Sequence, residues 1–407
     1  MNLYEDLKWR GLIKDETSDI KEKLNGESIT FYWGTDPSAD SLHIGHLSSL
    51  LTAKRLQMAG HKPILLVGGA TGMIGDPRPT TERAMISKED VFKNYDALNN
   101  QISKLFGYEM VNNYDWSKDI NFIDFLRDYG KYFNINYMLD KDIIRRRLDS
   151  GITYTEFSYM IMQSLDFLWL YENKGCTMQA AGSDQWGNIT AGIDLIRKKT
   201  GGIASGFTMP LVLDENGKKI GKSEGNAIWL DKNKTSSYQL YQFFLNTADS
   251  IVENYLKVYT FLSKEEIEKI MKKHEDAPHL RLAQKTLAKE IVLFLHGKES
   301  YERAVLISEA LFSGKVLELT KKEIKEAFKE VPSFETSDNQ NIVDLLVNGK
   351  VASSKREARG FINAGSIMIN EEKITDENFI VTKEMAIDNE LLVIRRGKKK
   401  YFVGNII

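Results

Sequence analysis

A chain of 407 residues is long enough for two or three domains, each with its own core. Its 42% hydrophobic and 28% charged residues are the balance of a globular protein, and a net charge of −2 means that any nucleic-acid surface must be local. The single cysteine, Cys176, excludes a disulfide framework, the charged stretch MNLYEDLKWRGLIKDETSD lacks the apolar core of a signal peptide, and the longest aliphatic run, Ile64–Val67, is far too short for a membrane span, so a cytoplasmic protein with no membrane segment is expected.

The first part reads as α/β. Ile29–Trp33 is β-branched and aromatic and gives way to Gly34 and Pro37, which predicts a strand running into a loop. Leu42–Ala59 carries Leu47, Leu50, Leu51 and Leu56 at helical spacing, with Ser41 or Asp40 as the expected cap and Gly60 as the stop. Pro63–Val67 reads as a buried parallel strand that ends in the glycine-rich loop Gly68–Gly75. Strand, helix and strand in quick succession make a βαβ unit, hence a parallel sheet with ligands beyond the carboxyl ends of its strands. Further on, helical stretches are expected at Phe122–Tyr132 and Glu156–Tyr171, a strand at Thr177–Ala181 and a helix at Ile189–Lys199. From about Ser236 to Leu319 the pattern is helical and charged on one face. Val331–Asn341 reads as a linker, and Ile342–Ile407 as two helical pieces followed by strands at Ser366–Ile369, Glu390–Ile394 and Tyr401–Val403.

Several stretches offer chemistry. His43-Ile-Gly-His46 sets two imidazoles one helical turn apart. A zinc site would also want cysteines, or a Glu placed as in the zincin motif, and the stretch has neither. A second reading is a plain polar pair at a helix start. A third is phosphate chemistry: a helix N-terminus is a positive, donor-rich end that disfavours imidazolium, so neutral N–H groups can meet phosphate oxygens. Gly45 would leave room there for a flat base. Gly68–Gly75 is neither a P-loop nor G-x-G-x-x-G; it reads as a tight turn, with Asp76 placed to meet an ammonium group. Lys218–Asn226 is either a solvated charged turn or a loop whose lysines neutralise charge on a leaving polyphosphate. Tyr159 and Gln163, four apart, share one side of a helix, and Asp166 continues that face.

Taken together, HIGH at 43–46 and Lys-Ile-Gly-Lys-Ser at 219–223 are similar to the two signatures of class I aminoacyl-tRNA synthetases. GTDPSADSLHIGH, GGATGMIGDP, EFSYMIMQSLDF and GSDQWGNITAG resemble the bacterial-type tyrosyl-tRNA synthetases, and the resemblance runs from Asn2 to the end of the chain. It implies a Rossmann-like parallel-sheet catalytic domain over 1–223, with an inserted connective or dimer segment over about 115–175. An α-helical domain over 224–325, meeting the anticodon region, a linker over 326–340 and a small S4-like α+β RNA-binding domain over 341–407 would follow. The implied activity is that of a cytoplasmic homodimer that converts L-tyrosine and ATP to tyrosyl-adenylate and pyrophosphate, then transfers the tyrosyl group to tRNA(Tyr). Mg²⁺ would be held mainly by the phosphates, with no metal ligands from the protein. The rivals are a tryptophan ligase and an RNA-binding pseudo-enzyme, and intact His43, His46, Lys219 and Lys222 speak against the latter.

By the same resemblance, Tyr32 and Asp166 hydrogen-bond the substrate phenol. Tyr159, Gln163 and Asp76 hold the α-ammonium group, with Thr71 nearby, and Gln185 holds the carboxyl group. Asp36, Ser38, His43, Gly45 and His46 surround the nucleotide, and Ser49, Gly182 and Asp184 approach its ribose. Lys219, Lys222, Ser223 and Arg83 grip the pyrophosphate. Trp33 stands where relatives carry a smaller, ribose-contacting side chain and receives no polar role. Lys355, Arg356 and Arg359, at helical spacing, form a basic edge able to track RNA phosphates, to which the tail adds Arg395, Arg396, Lys398, Lys399 and Lys400.

Overall fold

The strand expected at 29–33 forms and runs on through Gly34 as β1, Thr30–Thr35. It is preceded by two short helices, α1 (Leu3–Trp9) and α2 (Ile20–Asn25). In the computed structural model, which describes residues 1–77, 85–220, 227–313, 315–329, 331–397 and 400–407, the chain continues through α3 (Ile44–Met58) and β2 (Lys62–Val67). A single helical turn, α4 (Thr71–Ile74), then leads to α5 (Lys88–Phe106) and β3 (Glu109–Asn112). After a run of short helices come α6 (Tyr154–Lys174), β4 (Cys176–Gly182), α7 (Trp186–Thr200) and β5 (Ser205–Met209). The five strands make one parallel sheet of order β3-β2-β1-β4-β5, a Rossmann-like arrangement. Strands β3 and β5 were not legible in the sequence pattern: β3 is four residues long, and β5, SGFTM, carries a glycine and little aliphatic character.

This order places the site. From β1 the chain winds outward to β2 and β3, then returns to the other side of β1 as β4. The loops after β1 and β4 therefore diverge, and a crevice opens beyond their carboxyl ends. Helix α3 starts at that crevice and is buried around nearly its whole circumference, including Ser48, Ser49 and Thr52. Such burial is tolerated because Thr52 Oγ1 donates back to the Ser48 carbonyl at 2.8 Å.

Two compact units divide the chain: Met1–Ser236 with Phe244–Ile291, and Ser237–Phe243 with Val292–Ile407. Helices α8 (Asp249–Tyr259) and α9 (Lys264–Asp276) belong to the first unit, packed by buried Val252, Tyr255, Leu256 and Tyr259 of α8. In the second unit, the segment expected to be a linker contains a strand, Ser333–Thr336, that pairs parallel with Lys400–Ile406. A five-stranded sheet results, which packs against helices Ile342–Asn348 and Lys355–Asn363 around Leu345, Ile362, Ile369 and Ile394. Among the described residues no helix is long and apolar enough to cross a membrane.

Candidate active site

One cavity collects most of the residues singled out from the sequence. The end of β1 contributes Tyr32, Asp36 and Ser38; the start of α3 contributes His43, Gly45, His46 and Ser49. Thr71, Asp76, Tyr159, Gln163 and Asp166 line it from α4 and α6, and Gly182, Asp184, Gln185 and Lys219 from β4 and beyond. Arg83, Lys222 and Ser223 lie outside the described residues, as does Arg78.

The helix start is not capped as expected. Ser41 Oγ donates to the Leu42 carbonyl, and Asp40 pairs with Lys234. The cap is His43 itself: its Nδ1 accepts from the Gly45 N–H at 3.0 Å, while His46 Nδ1 accepts from the His43 N–H at 3.3 Å. This is a reciprocal capping box built from two imidazoles. A nitrogen that accepts a hydrogen bond carries no proton, so both rings are neutral, with their N–H at Nε2. The HIGH spacing thus follows from capping geometry, and two Nε2–H donors at the positive end of α3 are its product. Gly45 is also explained by packing: a Cβ there would stand 2.8 Å from His43 Cε1 and 3.0 Å from the Ile220 carbonyl oxygen.

At the other end of the cavity, polar side chains are tied in two hydrogen-bonded chains. In the first, Tyr159 donates to Asp36 Oδ2 at 3.0 Å and Thr71 donates to Asp36 Oδ1 at 2.8 Å. Asn113 Nδ2 donates to Thr71 Oγ1 and to Asp166 Oδ2, both at 2.9 Å, and Trp116 Nε1 donates to Asp166 Oδ1 at 2.9 Å. Asp36, expected beside the nucleotide, accepts from both Tyr159 and Thr71 in this chain. In the second chain, Gln185 donates to Asp76 at 2.8 Å, and Asn188 Nδ2 donates to both Gln185 and Gln163 at 3.0 Å. A Cβ on Gly68 would fall 2.1 Å from Thr71 Oγ1, so the glycine-rich loop makes room for this lattice.

Burial sets the electrostatics. Removal from water raises the Asp166 carboxyl to about 7, against the opposing pull of its Asn113 and Trp116 donors. The Tyr32 hydroxyl is buried with no partner among the described residues, and so is Gln179 Oε1 on the paired strand, where Tyr32 and Gln179 are register neighbours. Both residues line the cavity, so a ligand there can satisfy groups that are otherwise costly to bury. Among the described residues no group of three or more His, Cys, Asp or Glu side chains gathers as a metal site.

Sequence reasoning missed Asn113, Trp116, Gln179 and Asn188. The first two follow β3, and the rule that sites lie beyond strand ends would have pointed to them had β3 been recognised. Asn188 is four residues before Gly192 on the helix that Gln185 introduces, and its spacing of three from Gln185 was readable.

Comparison with known proteins gives the family. Residues 24–313 match the family model of tRNA synthetases class I (W and Y), and residues 323–404 match a tyrosine–tRNA ligase SYY-like C-terminal domain. The chain is 49% identical over 417 residues to a tyrosine–tRNA ligase of Streptococcus agalactiae, covering 100% of both chains. It is 52% identical over 416 residues to that of Bacillus velezensis, covering 99% of both. Among solved structures, a C-terminally truncated mitochondrial tyrosyl-tRNA synthetase from Aspergillus nidulans is similar with a TM-score of 0.68 at 32% identity, over 76% of this chain and 94% of that one. The chain belongs to the class I tRNA synthetases of the tryptophan and tyrosine group and, within them, to the tyrosine–tRNA ligases.

Proposed function

We propose the following division of labour for the ligation of tyrosine to its tRNA. The tyrosine carboxylate attacks the α-phosphate of ATP, so no covalent catalyst is needed; the protein aligns the reactants and stabilises charge on the leaving pyrophosphate. Tyr32 and Asp166 meet the substrate phenol. Asp76, Tyr159 and Gln163 receive the ammonium group, and Gln185 turns toward the carboxyl group. His43 and His46 offer their Nε2–H groups to the nucleotide, with Ser38, Gly45, Ser49, Gly182 and Asp184 around it. Lys219 and Lys222, with Ser223 and Arg83, take the pyrophosphate. Magnesium enters with ATP and is held mainly by the phosphates.

The observation that carries this reading is the pair of Tyr32 and Asp166. A buried hydroxyl without a partner and a buried carboxyl held by two donors face one cavity. The phenol of tyrosine gives the Tyr32 hydroxyl a partner and the Asp166 carboxyl a further donor, whereas phenylalanine gives neither. Exchange of labelled pyrophosphate into ATP, run with tyrosine, tryptophan and phenylalanine, tests it: exchange is expected with tyrosine, and its absence there would refute the assignment.

Two partner surfaces complete the proposal. Phe122, Ile123, Leu126, Ile135, Tyr137 and Tyr154 are exposed in and beside the inserted segment, which suits a seat for a second copy of the chain. In the second unit, Lys355 pairs with Asp344 at 2.7 Å and Arg359 with Glu377 at 3.1 Å. Arg356 is exposed with no ion-pair partner among the described residues and leads the RNA-facing edge. Arg396 does not join it: its guanidinium lies over the Phe361 and Phe402 rings and binds the Val351 carbonyl.

A further inference from the structure

The lysine-bearing segment is held at both of its described ends. Before it, Val212–Ile220 folds back on itself: the Ile220 N–H reaches the Val212 carbonyl at 3.0 Å, Leu213 bridges Lys219, and Asp214 Oδ1 receives the Asn216 and Lys218 N–H groups in the turn. After it, the Ile44 N–H donates to Ile228 at 2.9 Å and the Leu230 N–H to Leu42 at 2.8 Å, so residues 228–230 pair with the entry to α3. His43 bridges Trp229 in the same ladder.

A third element touches both parts. On α8, Tyr255 and Tyr259 are four residues apart on one face, both buried, with rings edge to face at 5.6 Å. Tyr255 donates its hydroxyl to the Leu213 carbonyl at 2.9 Å, on the stem that carries Lys219. Tyr259 reaches the Ile44 carbonyl at 3.4 Å, in the first turn of α3. The far end of α8 is itself fixed. Arg10 Nη1 donates to the Lys257 carbonyl at 2.9 Å, and Arg55, from the last turns of α3, donates to the carbonyls of Val258 and Thr260. Two guanidinium groups on the carbonyl end of a helix complement its dipole and make α8 a fixed support.

We propose that α8 braces the nucleotide end of the site and that Tyr255 is a positioning residue for Lys219. This rests on the reading of Lys219 as a pyrophosphate ligand. The Leu213–Lys219 bridge lies in a short ribbon closed by the Ile220–Val212 and Asp214–Lys218 backbone bonds, with Leu213 itself exposed. Without the Tyr255 hydroxyl the stem keeps its turn but loses its tie to the buried helix. Lys219 lies 3.7 Å from Asp184 across the cavity and depends on that stem for its reach.

The test is single-turnover tyrosyl-adenylate formation by the full chain, with tyrosine affinity measured in parallel, for Tyr255→Phe, Lys219→Ala and the double variant. Loss of one hydrogen bond predicts a rate about five- to tenfold lower for Tyr255→Phe. Tyrosine affinity should be unchanged, and the double variant should be no slower than Lys219→Ala alone. If Lys219→Ala is slow and Tyr255→Phe is not, the brace is wrong and the lysine reading stands. A Lys219→Ala variant of normal rate removes both. Additive losses, an equal fall in tyrosine affinity, or a lower melting temperature with the rate unchanged would each overturn the positioning role.

Discussion

The two ends of the cavity are built differently. At the end proposed for the amino acid, Asp166, Asn113 and Thr71 are buried and cross-linked by hydrogen bonds. At the end proposed for the nucleotide, Lys219 and Asp184 have side chains about half exposed and meet at 3.7 Å. A preformed, desolvated lattice suits discrimination in the ground state, because a wrong substrate leaves fixed groups unpaired. A solvated lysine suits a partner whose charge appears only as the bond breaks, and it adds rate without tightening the ground state.

Separating these roles by mutation is the way to break the comparison. The largest effect is expected from Lys219→Ala: a fall of about 10²–10³ in adenylation rate, the range for loss of one charge-stabilising donor, with tyrosine affinity nearly intact. An equal loss in affinity would count against it. Asp166→Ala should weaken tyrosine binding by about 10- to 100-fold and narrow the tyrosine/phenylalanine ratio, with less effect on the bound-state rate. An unchanged ratio would refute the phenol assignment.

The pH dependence sharpens the same contrast. The ligand-free Asp166 carboxyl titrates at about 7 because it is buried. Its folded value lies above the ordinary 3.8, so the fold gains stability from this proton at low pH, fully below 3.8, and loses it as pH rises through about 7. With the proposed phenol contact the ionised carboxyl is the acceptor, so tyrosine affinity should fall as pH drops through about 7, approaching tenfold per pH unit below it. Asp166→Asn should flatten that profile in isothermal titrations. The smallest effect separates the two jobs of His43. His43→Asn keeps a capping side chain and should retain stability while slowing adenylation, whereas His43→Ala should also lose about 1 kcal/mol in denaturant unfolding.

The elements that position the site were largely legible because aliphatic and aromatic runs mark β1, β2 and β4, and the HIGH and lysine segments stand out by composition. What could not be read is what long-range pairing decides. β3 and β5 are too short or too glycine-rich to announce themselves, yet β3 delivers Asn113 and Trp116 to Asp166. Ser333–Thr336 looks polar and linker-like until Lys400–Ile406 lies beside it. Ser41 was the better cap by residue type, but the cap went to His43, which is extended where the entry to α3 pairs with residues 228–230 and whose ring accepts from the Gly45 N–H. Propensity gives way there to a contact nearly two hundred residues away in sequence.

The most direct test of the division of labour is equilibrium tyrosine binding measured side by side for Lys219→Ala and Asp166→Ala, in the absence of ATP. The account predicts near-normal affinity for the first and a loss of about 10- to 100-fold for the second. Equal losses in both, or a normal Asp166→Ala, would contradict it.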